Sequence, residues 1–193
     1  MPSCIPRYAS NAEPDVIVPP TRWETQRLVL APACVADAQA AFESYTSDPL
    51  VTRYLMWRPH RSVDETAQFL SRCENVWQEG SAFPWSLRLK LDGSFAGMVE
   101  ARVRKHSVDI GYVLARRLWR KGLMSEAIGG LVDWAMSQPG IYRVWAICDV
   151  ENIASARALE HVGMQLEGTL RRRVVHPNMG DVPRDCFCYA IVK

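Results

Sequence analysis

The stretch RRLWRKGLMSEA, residues 116–127, decides the fold because it joins a strand pattern to a helix pattern. The preceding residues SVDIGYVL (107–114) carry the apolar spacing of a β-strand. From residue 123 to residue 138 apolar residues recur at helical spacing, and Pro139 then ends the segment. Four cationic side chains stand ahead of the glycine at the expected helix start: Arg116, Arg117, Arg120 and Lys121. The sequence therefore predicts a strand that enters a helix through a basic, glycine-containing turn.

This turn is suited to bind an anion. The N–H groups of the first helical turn lack intrahelical partners and carry a partial positive charge. Gly122 lets the backbone approach a ligand closely, and Ser125 offers a hydroxyl group. The three spaced glycines of a dinucleotide site and the nucleotide-triphosphate loop pattern are both absent. The residues alone leave two interpretations open: a phosphate or pyrophosphate site, or a solvated basic turn.

Length and charge indicate one domain without a strong overall attraction to polyanions. The chain has 193 residues, 48% of them hydrophobic, and its 23 Lys and Arg nearly balance 21 Asp and Glu. This balance argues against nucleic acid or an anionic membrane as partner. The run Arg171–Arg173 is better interpreted as a charged strand edge than as a nucleic-acid site.

The six cysteines predict neither a disulfide framework nor a metal site. They are scattered along a chain that is large enough to fold without crosslinks, and no His or Cys partner stands at zinc-finger spacing. The first residues lack an apolar signal segment, and no run of about 18 apolar residues occurs. We expect reduced thiols, no metal and a cytoplasmic location.

Residues 1–20 contain five prolines and are predicted to form an extended arm, so that the domain spans residues 21–193. The predicted strands cover 27–30, 83–91, 95–103, 107–114 and 142–148, with two more between 164 and 192. The predicted helices cover 35–45, 63–79, 123–138 and 154–162, and residues 51–60 are expected to form a loop. This order indicates a mixed α+β fold with about seven strands, mostly antiparallel, and about four helices.

The run DIGYVLARRLWRKGLMSEAIGGLVDWA (109–135), followed by YRVWAICDVENIASARALEHVGMQLEG (142–168), resembles the GNAT superfamily of N-acetyltransferases. The likeness is to the branch that includes the RimJ and RimL ribosomal-protein acetyltransferases. It covers roughly residues 21–193 and is strongest between 109 and 168. It implies a GNAT fold with splayed central strands and acetyl-CoA as the co-substrate.

The resemblance implies a role for each matching residue. The main chain of Val113 and Leu114 is expected to face the pantetheine and the thioester, and Asn152 and Ser155 to approach the pantetheine arm and the sulfur. Asn152 is also a good helix cap. Many relatives have a small residue at Met124, so we expect this side chain to narrow the turn. Six residues are implied to form the pyrophosphate turn: Arg120, Lys121, Gly122, Leu123, Met124 and Ser125.

Acetyl transfer to an amine requires a base, a donor to the oxyanion and an acid for the thiolate. A backbone N–H around Val113 or Leu114 is expected to serve the oxyanion, and Ser155 the thiolate. The base stays open, because some relatives have a glutamate at the position of Val174. Glu100 and Asp109 are the candidate carboxylates, and a water relay without a dedicated base is the alternative.

Acceptor recognition is expected from three segments: residues 53–60, 84–86 and 174–181. The aromatic side chains of these segments and the cation of Arg58 would suit a compact polar amine. The alternative places Trp57 and Trp85 in the core; for His60 we prefer a hydrogen-bonded loop residue, and His176 stays open. The predicted substrate-binding residues are Tyr54, Trp57, Arg58 and Trp85.

Three functions are compatible with the sequence. The first is an acetyl-CoA-dependent N-acetyltransferase acting on a small or amino-acid-like amine. The second acts on the N-terminal amine of a protein such as a ribosomal protein, and the third is an acyl-CoA-binding domain with weak or no catalysis. Exposed strands near the C-terminus are also compatible with a homodimer.

Overall fold

The computed structural model describes residues 17–193; most of the arm predicted for residues 1–20 lies outside them. The strands are β1 Trp23–Glu24, β2 Leu28–Pro32, β3 Phe83–Leu89, β4 Phe95–Arg104, β5 Ser107–Leu114, β6 Arg143–Asp149, β7 Gln165–Val174 and β8 Arg184–Val192. The helices are α1 Ala38–Ala41, α2 Pro49–Thr52, α3 Val63–Gln78, α4 Leu123–Ser137 and α5 Ile153–His161. The mixed α+β prediction is confirmed.

All eight strands form one sheet in the order β1-β2-β3-β4-β5-β6-β8-β7. Every pairing is antiparallel except that of β5 with β6. The parallel ladder runs only from Ser107–Arg143 to Asp109–Trp145, after which the two strands separate. The sheet is therefore open at its centre, as the predicted splayed strands require.

Helices cover both faces of the sheet. Val99 packs in a core cluster with residues of α4 and α5, whereas the adjacent Met98 packs with residues of α1 and α3. Successive residues of a strand face opposite sides, so β4 serves two cores at once. The described helices include none that is both long and apolar enough to cross a membrane, and the five cysteines of residues 17–193 are free thiols.

Most predicted elements are present, but three differ. The predicted helix 35–45 is divided into a 3-10 turn Val35–Asp37, α1 and a π turn Phe42–Thr46. Helix α2 begins before the expected loop 51–60 and extends into it, because Asp48 caps the helix by accepting from the Leu50 N–H (2.9 Å) and proline stands at its first position. Strand β1, with two residues, is too short to give a periodic signal.

Candidate active site

The separation of β5 from β6 creates a cleft of about 350 Å³. Its lining comes from β4, β5, β6, the first turn of α5, residues 54–57 and the segment 174–176. Two residues found only with the structure, Tyr45 and Tyr112, join the predicted aromatic residues there. The cleft thus lies where β5 and β6 separate, with the polar residues Asn152 and Ser155 of α5 in its lining.

The first turn of α5 holds the predicted pair Asn152 and Ser155 at the cleft. Asn152 caps the helix by accepting from the Ser155 N–H (3.2 Å), which confirms the capping prediction. Tyr112 reaches across the gap from β5, so that its hydroxyl lies 2.7 Å from Ser155 Oγ. Burial raises the pKa of Tyr112, although the hydrogen bond to Ser155 opposes the rise. A protonated phenol therefore fixes the Ser155 hydroxyl.

The basic turn between β5 and α4 has an unusual backbone. Arg120 (φ 60°) and Gly122 (φ 73°) are both left-handed. Such residues turn successive N–H groups toward one point, which makes an anion-binding concavity. Trp119 Nε1 donates to the Leu114 carbonyl (2.8 Å) and ties the turn to the end of β5.

Arg27, next to the start of β2, fixes the other side of this turn. Its Nη1 donates to the Lys121 carbonyl (2.8 Å) and its Nε to Glu126 Oε2 (2.6 Å). Although burial opposes the shift, hydrogen bonds from Thr25 and Arg27 hold the pKa of Glu126 below its usual value. The turn is thus held rigid while the side chains of Arg120 and Lys121 stay exposed.

The remaining predicted turn residues lie in the core or in contact with α5. Leu123 and Met124 are buried in the core cluster that α4 shares with the sheet. The expectation that the Met124 side chain narrows the turn is wrong, because it packs into this core. Ser125 Oγ donates to the Ala158 carbonyl of α5 at 3.5 Å. On β5, Val113 lines the cleft, whereas Leu114 does not.

The two predicted carboxylates share one arginine. Arg102 Nε donates to Asp109 Oδ1 (2.5 Å), and its Nη1 forms an ion pair with Glu100. The register explains the first contact, because Arg102 and Asp109 stand directly opposite each other on β4 and β5. Glu100 lines the cleft and Asp109 does not. Asp109 lies outside the cleft lining, and Glu100 lines the cleft in an ion pair with Arg102; a role of either carboxylate as base stays a prediction.

Some of the predicted substrate-binding residues line the cleft and others do not. Tyr54 and Trp57 line the cleft, whereas the exposed Arg58 does not. Trp85 is wrong as a substrate residue: it is 0% exposed and packs on Trp77 with ring centroids 5.1 Å apart. The strand alternates faces, so its neighbour Pro84 lines the cleft instead.

The histidines of the two loops have different environments. His60 Nδ1 lies 2.8 Å from the Thr66 hydroxyl, as expected for a hydrogen-bonded loop residue. His176 is buried and lines the cleft. Two residues further along the chain, Asn178 Nδ2 donates to the carbonyls of Thr52 (2.7 Å) and Trp57 (2.8 Å). One amide thus joins the late loop to the segment over the cleft.

Solved structures share this fold over most of their length. A GNAT-family acetyltransferase from Bacillus anthracis aligns with a TM-score of 0.77 at 24% identity, covering 89% of this chain and 98% of that one. RimJ of Mycobacterium smegmatis, solved with CoA-disulfide, gives 0.78 at 23% identity, covering 90% and 88%. The microcin C7 self-immunity acetyltransferase MccE, solved with acetyl-CoA and AMP, gives 0.79 at 20% identity, covering 87% and 93%.

Comparison of the sequence identifies the family of the chain as well as its fold. The family pattern of the acetyltransferase (GNAT) domain matches residues 27–165. The uncharacterized N-acetyltransferase YoaA of Bacillus subtilis (strain 168) is 31% identical over 173 residues, which are 88% of this chain and 96% of that protein. The chain therefore belongs to the GNAT family of acetyltransferases, which use acetyl-CoA as co-substrate.

Proposed function

We propose that this protein transfers the acetyl group of acetyl-CoA to a primary amine of a small, amino-acid-like molecule, by direct attack within a ternary complex. The observation that carries the proposal is the size of the cleft, together with the loop contact beside it. Its volume of about 350 Å³ is near the lower end of small-molecule sites. Asn178 joins the loops on either side of its acceptor end, which leaves little room for an extended peptide.

The cofactor side uses the turn and the free edge of β5. Arg120, Lys121 and the N–H groups from Gly122 to Ser125 bind the pyrophosphate, which favours a helix N-terminus. Beyond Asp109, β5 has no β6 partner in the described ladder, so its main chain is available to the pantetheine arm. A backbone N–H near Val113 polarises the thioester carbonyl.

The Ser155 hydroxyl protonates the departing thiolate. Tyr112 holds this hydroxyl from β5, and the Asn152 cap holds its backbone. The cleft residues Tyr54, Tyr45 and Trp57 enclose the acceptor with aromatic surface.

A panel of amines tests the acceptor class. Purified protein with acetyl-CoA is offered free amino acids, amino-acid amides and tetrapeptides that begin with alanine or serine, and release of free thiol is followed. We expect the highest kcat/KM among the small amines. Preference for the tetrapeptides would instead indicate a protein N-terminus as acceptor. Acetyl-CoA binding without turnover of any member would indicate a binding domain.

A further inference from the structure

His176 is a buried imidazole without a well-formed hydrogen bond. It is 5% exposed, lines the cleft, and neither ring nitrogen has a hydrogen-bond partner among the residues that the structure describes. Buried polar groups in folded proteins are nearly always paired, and an exception requires an explanation. The ring lines the cleft although its two nitrogens expose almost no surface, so the partner that we infer is a small group that enters the cleft beside it.

The surroundings of His176 fix its position from three elements. Asp149, at the end of β6, has a fully buried carboxylate whose Oδ2 lies 3.3 Å from His176 Nε2, outside hydrogen-bond geometry. Arg184, at the start of β8, donates to the same Oδ2 through Nε (2.6 Å). From the segment over the cleft, the Tyr54 ring meets the imidazole edge-on with centroids 6.1 Å apart, and the Leu55 carbonyl interacts with the ring as a weak hydrogen-bond acceptor.

These groups keep the imidazole neutral. Burial lowers the pKa of His176, and Arg184 acts in the same direction, against the opposing effects of Asp149 and the Leu55 carbonyl. Although burial opposes the shift, hydrogen bonds from Arg184 and the Glu151 N–H hold the pKa of Asp149 below its usual value. A neutral ring next to a fixed carboxylate has a free nitrogen lone pair and a nearby charge that stabilises the imidazolium once a proton arrives.

The other acid–base candidates of the cleft are engaged. Glu100 is paired with Arg102, and the Tyr112 hydroxyl is held by Ser155. Burial raises the pKa of Cys148 to about 11, so its thiol is no base near neutral pH. Among the described lining residues, His176 is the one imidazole, and neither of its nitrogens has a partner in good hydrogen-bond geometry.

We propose that His176 is the general base of the acetyl transfer and that Asp149 is its positioning residue. The assignment rests on the proposed function. An acceptor that enters as an ammonium ion gives one proton to His176, which passes it to solvent. The neutral nitrogen attacks the thioester carbon, and the C–N bond forms as the C–S bond breaks. The second proton of the nitrogen reaches the thiolate through Ser155, so each cycle releases one proton.

The test compares three substitutions with glycinamide as the acceptor probe: His176→Gln, Glu100→Gln and, as matched control, His161→Gln on the exposed end of α5. We expect His176→Gln to lower kcat/KM by about 10²- to 10⁴-fold, with acetyl-CoA affinity unchanged. We also expect it to move the acid limb of the kcat/KM profile to higher pH, where the glycinamide ammonium loses its proton unaided, whereas Glu100→Gln and His161→Gln keep the wild-type limb. An acid limb that moves in Glu100→Gln and stays in place in His176→Gln would overturn the assignment.

Different results would contradict the proposed function and the assignment of His176 as its base. A wild-type protein that does not bind acetyl-CoA removes the proposed function itself. A wild-type protein that acetylates glycinamide while His176→Gln behaves like His161→Gln removes only the base. If acetyl-CoA binds and no amine of the panel is acetylated, both fall; if another amine of the panel is acetylated and glycinamide is not, that amine replaces glycinamide in the comparison of the variants.

Should His176→Gln fail to fold, NMR of the wild-type imidazole decides the question. Titration of glycinamide into protein saturated with CoA is expected to shift the ring carbon signals of His176 and to leave those of His161 in place. Unshifted His176 signals would contradict contact with the acceptor.

Discussion

At the scale of single residues, Ser155 is held by a hydroxyl from another strand. Tyr112 Oη lies 2.7 Å from Ser155 Oγ across the opened part of the sheet. Ser155→Ala is expected to lower kcat by about 10²-fold or more, because the acid for the thiolate is lost. Tyr112→Phe, which keeps Ser155 and removes one hydrogen bond of about 1 kcal/mol, is expected to cost about fivefold. Single-turnover rates measure both; equal losses in the two variants would contradict the division of roles.

Arg120 carries backbone strain that glycine does not. Its φ of 60° places a non-glycine residue in the left-handed region, which costs about 1 kcal/mol. Arg120→Gly removes the cation and the strain, whereas the matched Arg120→Ala removes only the cation. We expect both to weaken acetyl-CoA binding equally and only the glycine variant to raise the free energy of unfolding. Equal free energies of unfolding for Arg120→Gly and Arg120→Ala in urea denaturation would show that Arg120 carries no backbone strain.

The position of a side chain could be predicted from the sequence where it depends on residues nearby in the chain. Asn152 was predicted because capping residues are few and their spacing is fixed. Trp85 was misplaced because strand alternation alone does not say which face of the sheet meets the cleft. Tyr112 and His176 depend on partners 43 and 27 residues away along the chain, Ser155 and Asp149, and such contacts leave no local signal.

At the scale of elements, Asn178 connects the late loop to the segment between α2 and α3. Its amide donates to two backbone carbonyls, of Thr52 and Trp57. Asn178→Asp keeps the shape but cannot donate, and we expect it to raise the acceptor KM while acetyl-CoA affinity stays the same. Asn178→Ala serves as the neutral comparison, with a stability loss of about 1–3 kcal/mol from unpaired carbonyls. Faster amide exchange in residues 52–57 is the expected structural signal; unchanged KM in both variants would contradict a role in acceptor binding.

Regular elements followed from periodicity and caps. Helix α3 was predictable because Ser62 accepts from the Glu65 N–H in the expected capping arrangement. The break of the predicted helix 35–45 was not, because the π turn depends on the packing of Tyr45, which is fully buried with its hydroxyl donating to Met98 Sδ (2.9 Å). That contact joins residues 53 positions apart.

At the scale of the whole molecule, two partly buried histidines make stability depend on pH. Burial lowers the pKa of both His60 and His176 in the folded protein. The unfolded chain therefore binds more protons, so stability is full above the unfolded pKa of about 6.5 and falls as the pH decreases toward the folded pKa values. Melting temperatures between pH 7.5 and about 5 are expected to fall less steeply for His176→Gln than for His161→Gln. Parallel slopes in the two variants would contradict the lowered pKa of His176.

The central claim is that the turn before α4 binds the pyrophosphate of acetyl-CoA, and calorimetric titration of two variants at one position tests it most directly. Gly122→Asp and Gly122→Asn have side chains of nearly the same shape that both tolerate left-handed backbone, so they differ in one negative charge. We expect wild type to bind acetyl-CoA and the aspartate variant to bind about tenfold or more weakly than the asparagine variant. Equal affinity of the two variants, or no binding to wild type at millimolar acetyl-CoA, would contradict the account.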